Sequence, residues 1–399
     1  MVTDYSYQLY RSIDDVDANE WREICHRSNN LFLDPRFLKA VEFSFSPEAH
    51  FWYAVYREDT GRAVAAACFS RYFVDGALMG SSAIQKVAAG VRWIWPRFLK
   101  YRIVLCGLPI STCDSQLAIT DHADTDAILS GLNKAALEIA RQSGCRLISF
   151  KEFSPELTVR MDGLSRYGFL KARSVYAYHL KWGHDSFSTY LASRRSRTRN
   201  DMKKSLRRFE EAGLTCEQLH GRDGVDRLFT PEVHQLYLNV LARAKVRFEC
   251  VPLSYFQELA RQLPSDSRFT VVRQGERIVG FCCGLAAADQ HAVLFVGLDY
   301  SLNREADLYF NLIYRSLDQG QSRGVQVVHI GASADEFKQR IGCHGAWLSI
   351  YVKAVNSVSN LLLRNVFGLL FDTRDAPNAP LPKPPTGSRP RKTAQNQSD

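Results

Sequence analysis

The strongest constraint on this chain is an order of segments that occurs twice. Residues 50–74, HFWYAVYREDTGRAVAAACFSRYFV, hold two β-rich runs around a turn at Gly61, and 267–287, SRFTVVRQGERIVGFCCGLAA, repeat that plan around Gly275. A helix of 3.6-residue period follows each hairpin, TDAILSGLNKAALEIARQSG (125–144) and EADLYFNLIYRSLDQGQSRG (305–324). Each helix leads to an apolar strand, CRLISF (145–150) or VQVVHI (325–330). A polar helical stretch, a glycine and a last strand complete both copies: YGFLKARSVYAYHLK (167–181) and IGCHGAWLSIYVK (341–353). Two copies of one α/β unit with mixed sheets account for 399 residues better than two unrelated domains.

The boundaries follow from that order. A first unit spans 1–183, a basic linker helix 184–213, a second unit 214–356 and a C-terminal helix 357–373; the Pro-, Ser- and Asn-rich stretch 374–399 is expected to be disordered. Gly61 to Gly144 is 83 residues, whereas Gly275 to Gly324 is 49, so the first unit carries extra chain, assigned to 75–115.

Charge and cysteine content narrow the partners. Fifty-one Lys and Arg against 42 Asp and Glu give a net charge of +9, which favours phosphates, nucleic acid or anionic head groups. The ten cysteines include no C-x-x-C pair, and the first 30 residues lack the basic start and apolar run of a signal peptide. Reduced thiols in a cytoplasmic protein are expected, with no disulfide and no metal site. No stretch reads as a membrane span; the apolar-looking 83–110 region is broken by Lys86, Arg92, Arg97, Lys100 and Arg102.

Several segments, taken in order, resemble the FemAB-like proteins, tandem acyltransferases built from two GNAT-like units. They are LFLDPRFLKAVE (31–42), YLASRRSRTRNDMKKSLRRFEEAGL (190–214), VPLSYFQEL (251–259) and LYFNLIYRSLDQGQSRGVQVVHIGASADEFKQRIG (308–342). The resemblance covers about residues 20–355 and implies a pair of GNAT folds that transfer an acyl or aminoacyl group to an amine, on a cell-wall precursor or another anionic acceptor. It implies acyl-CoA or aminoacyl-tRNA as donor. GNAT enzymes hold the CoA pyrophosphate on a glycine-rich loop at a helix start. Here GLDYSLNREADLYF (297–310) has no glycine after Gly297, which fits the tRNA-dependent Fem branch at least as well.

Lys338, in FKQRIG, matches the family's Phe-Lys element and is the candidate for stabilising negative charge. The competing reading is an exposed lysine in the first turn of a short helix. His329 alternates within VQVVHI and could relay a proton, or could be a hydrogen-bonded core residue. Arg199 and Lys203, one helical turn apart in RRSRTRNDMKK (194–204), are candidates for one anion of the substrate, with Arg304 a third; a solvated helix face is the alternative. In KVAAGVRWIWPRFLKYR (86–102) aromatic and basic residues interleave, as at a membrane interface or in a lid. The expected partners are a small-molecule or lipid-linked anionic substrate, tRNA, and peripheral contact with the inner face of a membrane. A non-catalytic protein of the same fold, binding anions or a membrane surface, is the rival from another class.

Overall fold

The computed structural model describes residues 5–26, 28–79, 82–244, 249–287, 289–319 and 324–373, so the segment expected to be disordered, 374–399, lies outside the described residues. The first half runs β1 (Ser6–Tyr10), α1 (Ala18–His26), α2 (Pro35–Phe45), β2 (His50–Arg57), β3 (Ala63–Asp75), α3 (Ser82–Val91), β4 (Lys100–Cys106), β5 (Leu117–Ile119), α4 (Thr125–Ser143), β6 (Leu147–Phe153), α5 (Pro155–Met161) and β7 (Leu170–Lys181). Two helices, α6 (Phe187–Ser193) and α7 (Ser196–Glu211), lead to the second half. That half runs β8 (Thr215–His220), α8 (Val225–Leu228), α9 (Pro231–Arg243), α10 (Leu253–Gln262), β9 (Ser267–Gln274), β10 (Arg277–Ala286), β11 (Gln290–Leu298), α11 (Tyr300–Ala306), α12 (Leu308–Gln319), β12 (Val327–Gly331), α13 (Asp335–Arg340) and β13 (His344–Ala354), and α14 (Ser357–Leu370) closes it.

Local chemistry sets the ends of these elements. Asp124 caps α4 by accepting the N–H groups of Asp126 and Ala127, and Gly144 ends it in the left-handed conformation, φ +66°. Pro35, Pro155 and Pro231 each open a helix behind a side-chain cap, from Asp34, Ser154 and Thr230. Strand β2 is buried along both faces, Tyr53 and Val55 toward one core, Trp52, Ala54 and Tyr56 toward another.

All the strands form one sheet, in the order β1-β2-β3-β4-β6-β13-β7-β12-β11-β10-β9-β8, with β5 paired to β3. The centre of this order departs from a simple tandem. Strand β7, the last of the first half, lies between β13 and β12, and β13, the last of the second half, lies between β6 and β7. Each half has therefore given its final strand to the other, and the ladder passes from one half to the other without an edge.

The expected insertion at 75–115 needs correction. It contains β4, which pairs antiparallel with β3 and parallel with β6, and so occupies the place that β11 holds in the second half. The chain added to the first half lies in the α3 segment between β3 and β4 and in the 107–116 loop after β4.

One face of the sheet carries two cores, one beneath α4 and α5, the other beneath α7, α12 and α13. The opposite face carries a core shared by α1, α2, α8, α9 and α10, and a smaller one of Ala172, Val352 and Phe367 beneath α14. The halves are tied there by Arg36 and Asp266, 2.9 Å apart, and by the Ser254 hydroxyl donating to the Ser44 carbonyl.

Candidate active site

The two parallel strand pairs, β4 with β6 and β11 with β12, are registered only over Ile103–Cys106 and Gln290–Ala292. Beyond those residues each pair parts. In the first half the 107–116 loop and the end of β6 occupy the gap; in the second, β12 gives way to α13.

Helix α13 answers why a lysine follows Phe337. The Phe337 ring is buried and stacks on Phe310, centroids 4.6 Å apart, with Tyr309 and Tyr314 around it. That anchor turns the next side chain inward, and Lys338 is only 1% exposed. Its Nζ lies 5.3 Å from the centroid of the Tyr178 ring on β7 and makes no hydrogen bond or ion pair among the described residues. Burial pushes the Lys338 ammonium down to about 8, while Cys113, Cys343 and Asp335 pull the other way. Asp335 and Glu336 are exposed in the first turn, where they complement the helix dipole.

The helix stops at Gly342, φ +92°, where a Cβ would lie 2.1 Å from Arg194 Nη1. Arg194 covers the Tyr190 ring and donates to the Ile341 carbonyl, which also accepts the Tyr190 hydroxyl. Arg194 is thus the member of the 194–204 run that reaches the Phe-Lys element.

Opposite Lys338 is the 107–116 loop, whose Cys113 feels both the lysine and two carboxylates, Glu152 and Glu249. Burial pushes the Cys113 thiol up to about 12, so it is a neutral thiol. Glu152 ends β6 with a positive φ of 64° and is buried; it accepts the Ser111 hydroxyl and, at 3.2 Å, the Thr112 N–H. Cys113 also has a positive φ, 59°. Such backbone costs about 1–3 kcal/mol per residue and persists where surrounding bonds enforce it. Here they do: Gln116 bonds Thr112 Oγ1 and the Asp114 carbonyl, and Asn30 bonds the Ser115 carbonyl at 2.6 Å.

Lys151 stands beside Glu152, its Nζ 3.6 Å from Oε1 and 2.7 Å from the Ile110 carbonyl. Burial raises Glu249 and Asp114 each to about 7, with the Glu152 charge adding to both shifts. The Oε2 atom of Glu249 is buried without a hydrogen-bond partner. The cluster therefore joins a lysine from the second half to a lysine and carboxylates from the first half's loop and strand end, with Glu249 arriving from the segment before α10. None of Lys151, Glu152, Asp114 or Glu249 stood out in the sequence. The signal was the charged pair in LISFKEF, which interrupts an otherwise apolar strand.

The other sequence candidates lie elsewhere. His329 pairs with His179 across β12 and β7, while its neighbours Val328 and Ile330 share a core with Tyr178. Strand alternation turns His329 to the face away from Lys338. Its Nε2 is 3.1 Å from Gln290 Oε1, and burial pushes its pKa down to about 4, so it is neutral at pH 7. The Arg199 guanidinium donates to the carbonyls of Ala192 and Arg194, at 3.2 and 3.0 Å, tying α7 to the end of α6. Lys203 and Arg304 are exposed. Lys204, Arg208 and Arg340, with Asp201 and Asp307, instead line a cleft of about 240 Å³ beside α7, where Arg208 is already 3.3 Å from Asp307.

Neither helix start that could receive a pyrophosphate is open. At α12, Asn303 Oδ1 accepts the Tyr309 N–H at 2.8 Å, and Asp307 precedes the helix. At α4 the cap is Asp124, with Asp126 in the first turn. Asp307 is paired with Arg208 and Asp126 with Arg166, and the N–H groups taken by Asn303 and Asp124 are not offered to a phosphate. Among the described residues no His, Cys, Asp and Glu cluster could hold a metal ion, and no helix is long and apolar enough to cross a membrane.

Comparison with known proteins matches these features to established folds. FemX shares 11% identity at a TM-score of 0.57, over 89% of this chain and 99% of that one. The C-terminal domain of a protein assigned as a lysylphosphatidylglycerol synthetase, from Agrobacterium fabrum, shares 13% at 0.50, over 90% and 98%. A tandem GNAT protein from the clavulanic acid biosynthesis pathway shares 12% at 0.50, over 88% and 99%. At such identities the likeness is one of fold, and the fold is two tandem GNAT-like units. No match was found among curated proteins. The profile of the FemAB-like family, described as peptidoglycan biosynthesis/recognition, fits residues 12–348. With that profile running from before α1 into β13, the chain belongs to the FemAB-like family.

Proposed function

We propose that this protein transfers an aminoacyl or acyl group to an amine of an anionic cell-envelope acceptor, at the cluster of charged residues between Lys338 and the 107–116 loop. The observation that carries this reading is a buried lysine, without ion-pair partner among the described residues, set across a neutral thiol from the carboxylates of Glu152 and Glu249. An acceptor amine arrives protonated and must lose that proton before it attacks. Glu249, raised to about 7 and with an unpartnered oxygen, takes it. The amine nitrogen then bonds to the donor's carbonyl carbon, and the oxyanion that forms is stabilised by the Lys338 ammonium, still charged at pH 7. Collapse breaks the donor's ester bond: the attacking nitrogen loses its second proton to solvent, and the leaving oxygen takes the proton held by Glu249, giving an amide, an alcohol and a regenerated carboxylate.

An ester-linked donor, aminoacyl-tRNA, suits the chain better than acyl-CoA, because N–H groups at the starts of α4 and α12 are already held by Asp124 and Asn303. The basic face of α7 offers the charge that a tRNA backbone meets. The protein works in the cytoplasm, with peripheral contact to the membrane where a lipid-linked acceptor is presented. The test is a thermal-shift and transfer comparison of charged tRNA with acetyl-CoA. Stabilisation and transfer with charged tRNA alone are expected; stabilisation by acetyl-CoA overturns the donor, and response to neither overturns the transfer reading.

A further inference from the structure

Two exposed apolar segments leave the sheet at the same end of its central strands. Strand β4 enters the sheet at Lys100 and β13 leaves it at Ala354, and both Ile103 and Ala354 align with Leu147 of β6. With only β6 between them, the two strands are about 10 Å apart.

The turn before β4 presents Trp93, 90% exposed, Ile94, 83%, and Trp95. It is held in place, since Arg92 pairs with Asp75 and donates to the Phe98 carbonyl at 2.9 Å. Helix α14, following β13, seals the sheet with Leu363 and Phe367. Its outer side shows Val358, Leu361, Leu362 and Val366, spaced as one helical stripe, with the two leucines more than 60% exposed. Large apolar side chains exposed side by side in this way are what an interaction site presents.

The charges choose the partner. Residues 86–102 contain five bases and no acid, of which Arg92 is taken up by Asp75, and 357–370 contain Arg364 and no acid. Tryptophan and aliphatic side chains flanked by lysine and arginine suit the head-group level of a bilayer, with the bases meeting anionic lipid. A symmetric contact between two copies would press these bases against their own duplicates, with no acid in either segment to offset them.

We propose that the 86–102 turn and α14 together form a docking face for an anionic bilayer surface. This rests on, and deepens, the membrane contact of the proposed function, adding α14 as its second element. The face does not form the catalytic pocket, because the length of β4, about 20 Å, separates the turn from the 107–116 loop.

The test is co-sedimentation of the full chain with vesicles of equal parts phosphatidylglycerol and phosphatidylcholine, and with vesicles of phosphatidylcholine alone. The wild type is expected to pellet with the anionic vesicles and release at high salt. The variants Trp93→Ser/Trp95→Ser and Leu361→Ser/Leu362→Ser, altered only at exposed positions, should each bind roughly tenfold more weakly. Equal binding to both vesicle types, variants that pellet like wild type, or wild type left in the supernatant would overturn the proposal. So would a dimer, seen by light scattering, that Leu361→Ser/Leu362→Ser dissociates without any vesicle binding. A Lys338→Ala chain should pellet like wild type even where it transfers nothing, which keeps failure of docking separate from failure of catalysis.

Discussion

The Lys338 ammonium, from the second half of the chain, sits 5.3 Å from the ring centre of Tyr178, from the first half. The meeting follows from the strand exchange, which places β7 beside β12 and so under the helix that carries the lysine.

Replacing Lys338 should separate stability from activity. Its folded value of about 8 lies below the ordinary 10.5, so between these values the unfolded chain binds more protons, and stability rises with pH across that window. Below pH 8 the buried charge costs roughly 3 kcal/mol relative to the neutral amine. A Lys338→Met chain should unfold at higher denaturant than wild type at pH 7, by a margin that narrows toward pH 10. Its kcat/KM should fall roughly a hundredfold or more, as when one oxyanion donor is lost. A Met variant less stable at pH 7 would contradict the cost of the buried charge, and a fully active one would contradict the oxyanion role.

Glu249 is raised from 4.5 to about 7, so between these values the folded protein holds the extra proton, and stability falls as pH rises through the window. Glu249→Gln should flatten that decline in urea titrations at pH 5 and pH 8. In kinetics the same substitution should remove the acidic limb of the pH–rate profile near 7 and leave the alkaline limb near 8. Retention of the acidic limb would pass the proton-accepting role to Asp114.

Gly342 is needed for its backbone more than for its space. Arg194 can swing clear of an added Cβ, although it then loses its 3.3 Å bond to the Ile341 carbonyl, but φ stays at +92°. Gly342→Ala should cost about 1–3 kcal/mol in unfolding free energy. Adding Arg194→Ala should recover only part of it, and full recovery would show that crowding was the whole cost.

Cys113 lies within the pocket as a spacer, since burial holds its thiol near 12. Cys113→Ser should keep transfer within about threefold of wild type, and thiol reagents at pH 8 should react slowly with the native chain. Loss of activity comparable to that of Lys338→Met would make the sulfur a reacting atom.

The repeat was legible because period-2 runs, a 3.6-period helix and turn glycines at Gly61 and Gly275 are local signals. Strand β4 was missed because Lys100, Tyr101 and Arg102 begin it with polar-tipped residues, the last two exposed, so its first half reads as surface. The exchange of β7 and β13 leaves no local mark, as either strand could pair with either neighbour on composition alone. Lys338 was found through a motif; its burial depends on Phe310 and Tyr178, which are distant in sequence. Alternation in VQVVHI gave His329 a consistent side but could not say which, and the side is the one away from Lys338. The carboxylate pocket was hidden in GLPISTCDSQ, a run of ordinary turn residues whose importance comes from where Glu152 and Glu249 meet it.

The traded strands also bear on how the molecule is made. Strand β6 leaves the ribosome about 190 residues before β13, the neighbour that completes its ladder, so at 5–20 residues per second the nascent first half waits about 10–40 s with an open flank. During that interval β7 is free to take the place beside β6 that β13 finally occupies. Maturation then requires that early pairing to be undone, so slower synthesis of the second half should prolong exposure to strand-mediated aggregation.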